Sequence, residues 1–184
     1  MSRLKFKKLD MDGLYLVERV LLGDDRGFLS RIWCSNEIKE AGWKKEIAQI
    51  NHTYNQQCGT VRGLHFQKKP HQEKKLVTCI RGTIWDVVVD LRSNSPTFLN
   101  WHSEELSDKN NKALMIPEGF AHGYQTLTDD VEILYCHSEF FHESSEGGLN
   151  PQDPELSIDW PLTISSISTR DLNHPLISKT FKGV

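Results

Sequence analysis

KLVTCIRGTIWDVVVDL, Lys75 to Leu91, is two β-rich apolar runs divided by one polar pair. Val, Ile and Thr suit the pleated, half-buried surface of a sheet. Arg81-Gly82 between the runs has the composition of a hairpin turn. The flanking sequence continues in the same manner. YLVERVLL follows Gly13 and FLSRIW follows GDDRG (Gly23 to Gly27), while IAQINHTY, TVRGLHFQ, IPEGFAHGYQTL and VEILYC add further runs between turn signals. SNEIKEAG breaks the pattern and reads as a short helix, with Ser35 as N-cap and Gly42 as C-cap. From Glu143 onward the chain is richer in Ser, Pro, Asn and Gly and is expected to wrap the surface as loops. Many short strands, close turns and one or two brief helices indicate an all-β fold, a sandwich or barrel of the jelly-roll kind. Over 184 residues no internal repeat and no long linker is evident, so one domain spanning residues 1–184 is expected.

The charge balance excludes some partners. Lys and Arg total 22 against 25 Asp and Glu, a net charge of -3. No basic excess points to nucleic acid or to an anionic membrane surface. MSRLKFKKLDMDG has no apolar run behind its basic residues, so it does not read as a secretory signal. No uncharged stretch is long enough to span a bilayer. Cys34, Cys58, Cys79 and Cys136 lie far apart without a CxxC pair, as expected of reduced thiols in a cytoplasmic protein.

TVRGLHFQ, Thr60 to Gln67, sets Arg62 and His65 inside an otherwise apolar strand, where an unpaired charge is costly. Strict alternation sends Arg62, Leu64 and Phe66 to one face and Val61, Gly63 and His65 to the other. The two polar residues share a face only if Gly63 marks a bulge, which an interior glycine often does. His122 in FAHGYQ and Tyr135 in VEILYC are further polar groups in apolar runs. Taken singly, each reads as readily as a satisfied core histidine or an ordinary strand tyrosine. Most of KKPHQEKK reads as a solvated loop, but Lys75 opens an apolar strand, so its stem can lie along the core with the ammonium inward. A mononuclear metal centre in a cupin-type barrel wants an HxH pair, a carboxylate and a later His. No HxH occurs, and His65 and His71 are separated by five residues. Neither metal nor cofactor is expected, and acid–base work falls to side chains.

GDDRGF, QINHT, TVRGLHFQ, KLVTCIRGTIWDVVVDLR, SPTF, IPEGFAHGY, VEILY and DPELSIDWP occur in this order. Together they closely resemble the dTDP-4-dehydrorhamnose 3,5-epimerase family, from about Leu14 to Pro175. The resemblance implies a cupin-like jelly-roll β-barrel with a few short helices, forming a metal-independent homodimer. It implies an isomerase that inverts carbon 3, carbon 5 or both of a nucleoside-diphosphate 4-keto-6-deoxyhexose. Such a product serves deoxysugar and polysaccharide precursors of the O-antigen type. By the same resemblance His65 is the base, Asp171 the carboxylate that orients it, Tyr135 the proton donor, and Lys75 the cation near the enolate. Arg26, Gln49, Asn51, Arg62, His122, Phe141, Glu146 and Arg170 match positions that contact the nucleotide sugar. Asp86 and Asp90 have no catalytic role in the match and read as structural.

Three departures from the family pattern bear on specificity. Arg31 stands where a Glu is usual, Phe140-Phe141 replaces a Tyr pair, and NPQDP (Asn150 to Pro154) replaces a Trp-containing stretch. The rival readings are a 3,4-ketoisomerase on the same substrate class and a sugar-nucleotide binding module without activity. A metal-dependent cupin oxygenase is a weaker one.

Overall fold

The computed structural model describes residues 2–184. Fourteen short strands dominate, as the alternating apolar runs require. The first sheet contains β1 (Leu4–Lys8), β2 (Tyr15–Arg19), β10 (Lys112–Ile116), β7 (Lys75–Arg81), β12 (Val131–His137) and β5 (Gln49–Asn55), in that spatial order. The second runs β13 (Glu146–Gly148), β6 (Thr60–Gln67), β11 (Phe120–Thr126), β8 (Thr83–Asp90) and β9 (Trp101–Ser107), with β14 (Ser166–Ile167) parallel to β6. The two sheets pack face to face as an open jelly-roll sandwich.

Alternation along the strands builds three apolar layers. Val77, Cys79, Ile133 and Tyr135 of the first sheet meet Ile84, Val88, Leu106 and Tyr124 of the second in the inner core. Outside the first sheet, Leu76, Met115 and Cys136 are covered by Ile38, Ala41 and Trp43. Outside the second, Leu64, Phe66, Val87 and Val89 are covered by Leu149, Leu156 and half-buried residues nearer the C-terminus, Ile177 and Phe181 among them. The chain after Glu143 is therefore more than surface loop. It adds β13, β14 and the short helix α2 (Thr169–Leu172), and it closes one face of the core.

Two local expectations need correction. Arg81-Gly82 turns the chain, but β7 pairs with β10 and β12 while β8 pairs with β11 and β9. The turn thus carries the chain between sheets instead of closing a hairpin. The corner is tight: Gly82 has φ +75°, and a Cβ there would lie 2.6 Å from Thr128 Oγ1. The helix α1 (Ser35–Ile38), extended by a 3-10 turn over Lys39–Ala41, has extended Cys34 as its N-cap, and Ser35 is already helical. The hydrogen bonds that fix this segment come instead from Glu37, which accepts from Ser2 Oγ and from the backbone N–H of Arg3 and Leu4. Gly42 is the C-cap as expected, in the left-handed region at φ +85°.

The bulge in TVRGLHFQ is present. β11 pairs His122 with His65 and Tyr124 with Arg62, so two steps on β11 oppose three on β6. The extra residue brings Arg62 and His65 to the same side, despite their odd spacing. Gly63 has φ +115°, and a Cβ on it would lie 2.6 Å from Gly123 Cα and 2.7 Å from the His122 carbonyl oxygen. Backbone on both sides leaves nothing flexible to yield. Gly63→Ala is expected to destabilise the fold by about 2–3 kcal/mol, read as a lower urea midpoint, and to misplace His65.

Candidate active site

One end of the inner layer is polar where the rest is apolar. Inward positions of both sheets converge there on a cavity of about 190 Å³, lined by Arg62, His65, Lys75, His122 and Tyr135, with Asn51 at β5. β6 and β11 contribute from one sheet and β5, β7 and β12 from the other, so His65 and Tyr135 face the same space from opposite walls.

His65 is held by the C-terminal segment. Its Nε2 lies 2.8 Å from Asp171 Oδ1, and the other Asp171 oxygen accepts the Gly63 N–H at 3.1 Å. Ser168 caps α2 by accepting the Asp171 N–H, which fixes the carboxylate's backbone. Burial pushes the Asp171 carboxyl up, but the bonds from His65 and Gly63 outweigh it and hold its pKa at about 2. Asp171 is thus ionised at neutral pH and accepts a hydrogen bond from Nε2–H, leaving Nδ1 as the nitrogen with a free lone pair. Arg170 Nη2 lies 3.0 Å from the same Nε2, and its guanidinium is anchored 3.1 Å from Glu146 and 3.5 Å from Asp171.

On the facing wall, burial drives the Tyr135 phenol well above its ordinary pKa, and neighbouring Tyr124 adds to the shift. A phenol in this setting keeps its proton at neutral pH. Lys75 is nearly buried, with Nζ 3.2 Å from Glu73 Oε1. Glu73 Oε2 lies 2.7 Å from His137 Nδ1, so one carboxylate serves a lysine and an imidazole. Burial opposes the charge on Glu73, but Lys75 and His137 together hold its carboxyl below the usual range. His122 is paired with Asp86 at 2.7 Å. Burial pushes the Asp86 carboxyl up, against the opposing pull of His122. Arg62 Nε donates to Asn55 Oδ1 at 2.7 Å, and Tyr124 donates to the same oxygen. The arginine therefore stands across the cavity mouth, where two further hollows of about 690 and 390 Å³ begin.

Of the twelve expected site residues, six line the cavity: His65, Lys75, Tyr135, Asn51, Arg62 and His122. Asp171 joins them through its bond to His65, and Arg170, paired with Glu146, stands beside that imidazole. Gln49 does not face the cavity lining; its side chain accepts the Phe141 N–H at 3.0 Å and so tethers the exposed Phe140-Phe141 segment. Arg26 stands apart at the tip of the hairpin β3 (Leu21–Asp24) and β4 (Gly27–Ser30), where it is 89% exposed and bound only to Asp24. Arg31, the reversed charge, is neutralised by Glu37 and stitches the chain before α1 to that helix.

The sequence reading missed Glu73, His137 and the part played by Asp86. His137 was detectable, since alternation from Val131 through Ile133 and Tyr135 puts it on the tyrosine's face. Asp90, by contrast, is structural as expected, accepting from Arg92, Ser95 and Thr97. Glu73→Gln would leave Lys75 and His137 sharing a neutral amide. A loss of about 3 kcal/mol is expected in chemical unfolding, restored in part by adding Lys75→Met.

A family profile described as dTDP-4-dehydrorhamnose 3,5-epimerase matches residues 8–179. The dTDP-4-dehydrorhamnose 3,5-epimerase of Shigella flexneri is 38% identical over 167 residues, covering 90% of this chain and 92% of its own. The crystal structure of the Bacillus anthracis enzyme of that name, with TDP and pyrophosphate bound, superposes with a TM-score of 0.91 at 37% identity, over 95% of this chain and 99% of that one. A Legionella pneumophila homologue in complex with dTDP-4-keto-L-rhamnose gives 0.89 at 34% identity, covering 94% and 92%.

Proposed function

The chain belongs to the dTDP-4-dehydrorhamnose 3,5-epimerase family, and we propose that its cavity binds the 4-keto sugar of a nucleoside diphosphate, most simply dTDP, between His65 and Tyr135. The observation that supports this reading is an imidazole and a phenol on facing sheets of one cavity.

The ketone at carbon 4 acidifies the hydrogens on carbons 3 and 5. His65 Nδ1 takes such a proton, and ionised Asp171 stabilises the resulting imidazolium. The electron pair of the broken C–H bond moves into the enolate, whose oxygen is stabilised by the Lys75 ammonium. Tyr135 returns a proton to the same carbon from the other face, which inverts it. His65 then releases its proton and Tyr135 regains one, restoring both groups. Arg62 and Arg170 stand toward the outer hollows and suit the diphosphate, whose oxygens a guanidinium fork can pair. Asn51, His122 and Glu146 position the sugar and its neighbours, while Gln49 tethers the segment of exposed Phe141, whose ring suits the nucleotide base.

A homodimer accounts for the hairpin. β3–β4 is a two-stranded ribbon by itself, with Leu22, Phe28 and Leu29 exposed, and such a ribbon is marginal in water unless its apolar side is covered. Docked on a second copy, it would carry Arg26 to that copy's site. The four free cysteines suit a reducing compartment, the cytoplasm. The chain acts in this reading as one domain supplying deoxysugars for polysaccharides.

Proton NMR in deuterated water tests the reaction: the protein should exchange the hydrogen at carbon 3, carbon 5 or both of dTDP-4-keto-6-deoxyglucose. His65→Ala should abolish exchange while dTDP binding by calorimetry persists, and equal exchange rates would contradict the base assignment. Phe28→Ser with Leu29→Ser should shift the protein from dimer to monomer in light scattering.

A further inference from the structure

The chain has eight histidines, and six of them lie within salt-bridge distance of a carboxylate. His71 and His142 are the exceptions. Their rings stack on one another, with centroids 3.5 Å apart and planes 19° from parallel. Beside them is Glu139, and the nearest nitrogen of each ring and a carboxylate oxygen all lie within 4.8 Å of one another.

The backbone around this cluster is already organised. Gln67, buried at the end of β6, donates from its amide to the carbonyl oxygens of His71 and Phe140 and accepts the His142 N–H at 2.7 Å. One side chain therefore fixes both loops that carry the imidazoles. The Phe140 N–H donates to Glu139 Oε1 at 3.1 Å and, more than any other contact, holds that carboxyl below its ordinary range. Lys45 is the competing cation, 3.6 Å from Glu139, but it is half exposed and has Glu118 as a second partner at 3.4 Å.

We propose that His71, Glu139 and His142 form a binding site for one divalent transition-metal ion of the zinc type. Two neutral imidazoles and a carboxylate are the donor set that such ions take, with nitrogen at about 2.0–2.1 Å and one position left for water. The three donors already lie within 4.8 Å of one another. Glu139 and His142 bracket Phe140-Phe141 in the chain, so the ion clamps the segment that carries the exposed aromatic pair. The site lies outside the cavity, and the proton transfers do not use it.

Metal-stripped protein titrated with Zn²⁺ or Co²⁺ in a calorimeter tests the site. One ion per chain is expected, with a ligand-field band in the visible for Co²⁺. His71→Ala and His142→Ala should each weaken binding by at least about tenfold. His174→Ala, which alters the other candidate donor set of His65, Asp171 and His174, should leave it unchanged. Absence of binding to the parent protein, or undiminished binding to the His71→Ala/His142→Ala double variant, would overturn the proposal. The clamp has its own readout, resting on Phe141 as the base-stacking residue: Zn²⁺ should tighten dTDP binding in the parent and not in the double variant. Equal dTDP affinity with and without Zn²⁺ would overturn the clamp. Loss of dTDP binding altogether would count against the stacking role, while the metal titration still decides the site.

Discussion

The site depends on how closely two backbones approach at Gly63. β6 and β11 touch there with no room for a Cβ, and the space is used to insert one extra residue into β6. Without that insertion the pleat would turn Arg62 and His65 to opposite faces of the sheet. With it, a cation suited to the diphosphate and a base suited to the sugar enter the same cavity. The Gly63 N–H also donates to Asp171, so the bulge helps to hold the carboxylate paired with His65.

A sandwich of this size could fill its interior with apolar side chains throughout, and at one end it does not. Lys75, His122 and His137 replace them, each paired with a carboxylate: Glu73 for Lys75 and His137, and Asp86 for His122. Unpaired, any of these groups would be costly to bury. Paired, they form a polar wall whose hydrogen-bonding groups are oriented before a substrate arrives. The two sheets divide the work. His65 and His122 come from the second, and Lys75, Tyr135 and His137 from the first.

Strand composition and turn spacing revealed the all-β class, and ordered motifs revealed the reaction. Pairing across sheets was less legible. Arg81-Gly82 has the residues of a hairpin, but whether its strands meet depends on partners at positions 113–116 and 120–126. His65 and Tyr135 were ambiguous taken singly, and with Lys75 they stood out only through the ordered motifs around them; the fold brings all three to one cavity. Glu73 was hidden: a carboxylate within a lysine-rich loop looks solvated, and only the fold buries it. Arg26 was legible as a motif residue, though its hairpin lies away from this chain's own cavity.

His65 and the carboxylate that orients it are 106 residues apart, and the second comes from the segment that seals the outer face of the second sheet. During translation the imidazole emerges long before its partner. The imidazole cannot make this bond until the stretch around Ser168 and Asp171 leaves the ribosome. The pair is thereby confined to chains synthesised past Asp171.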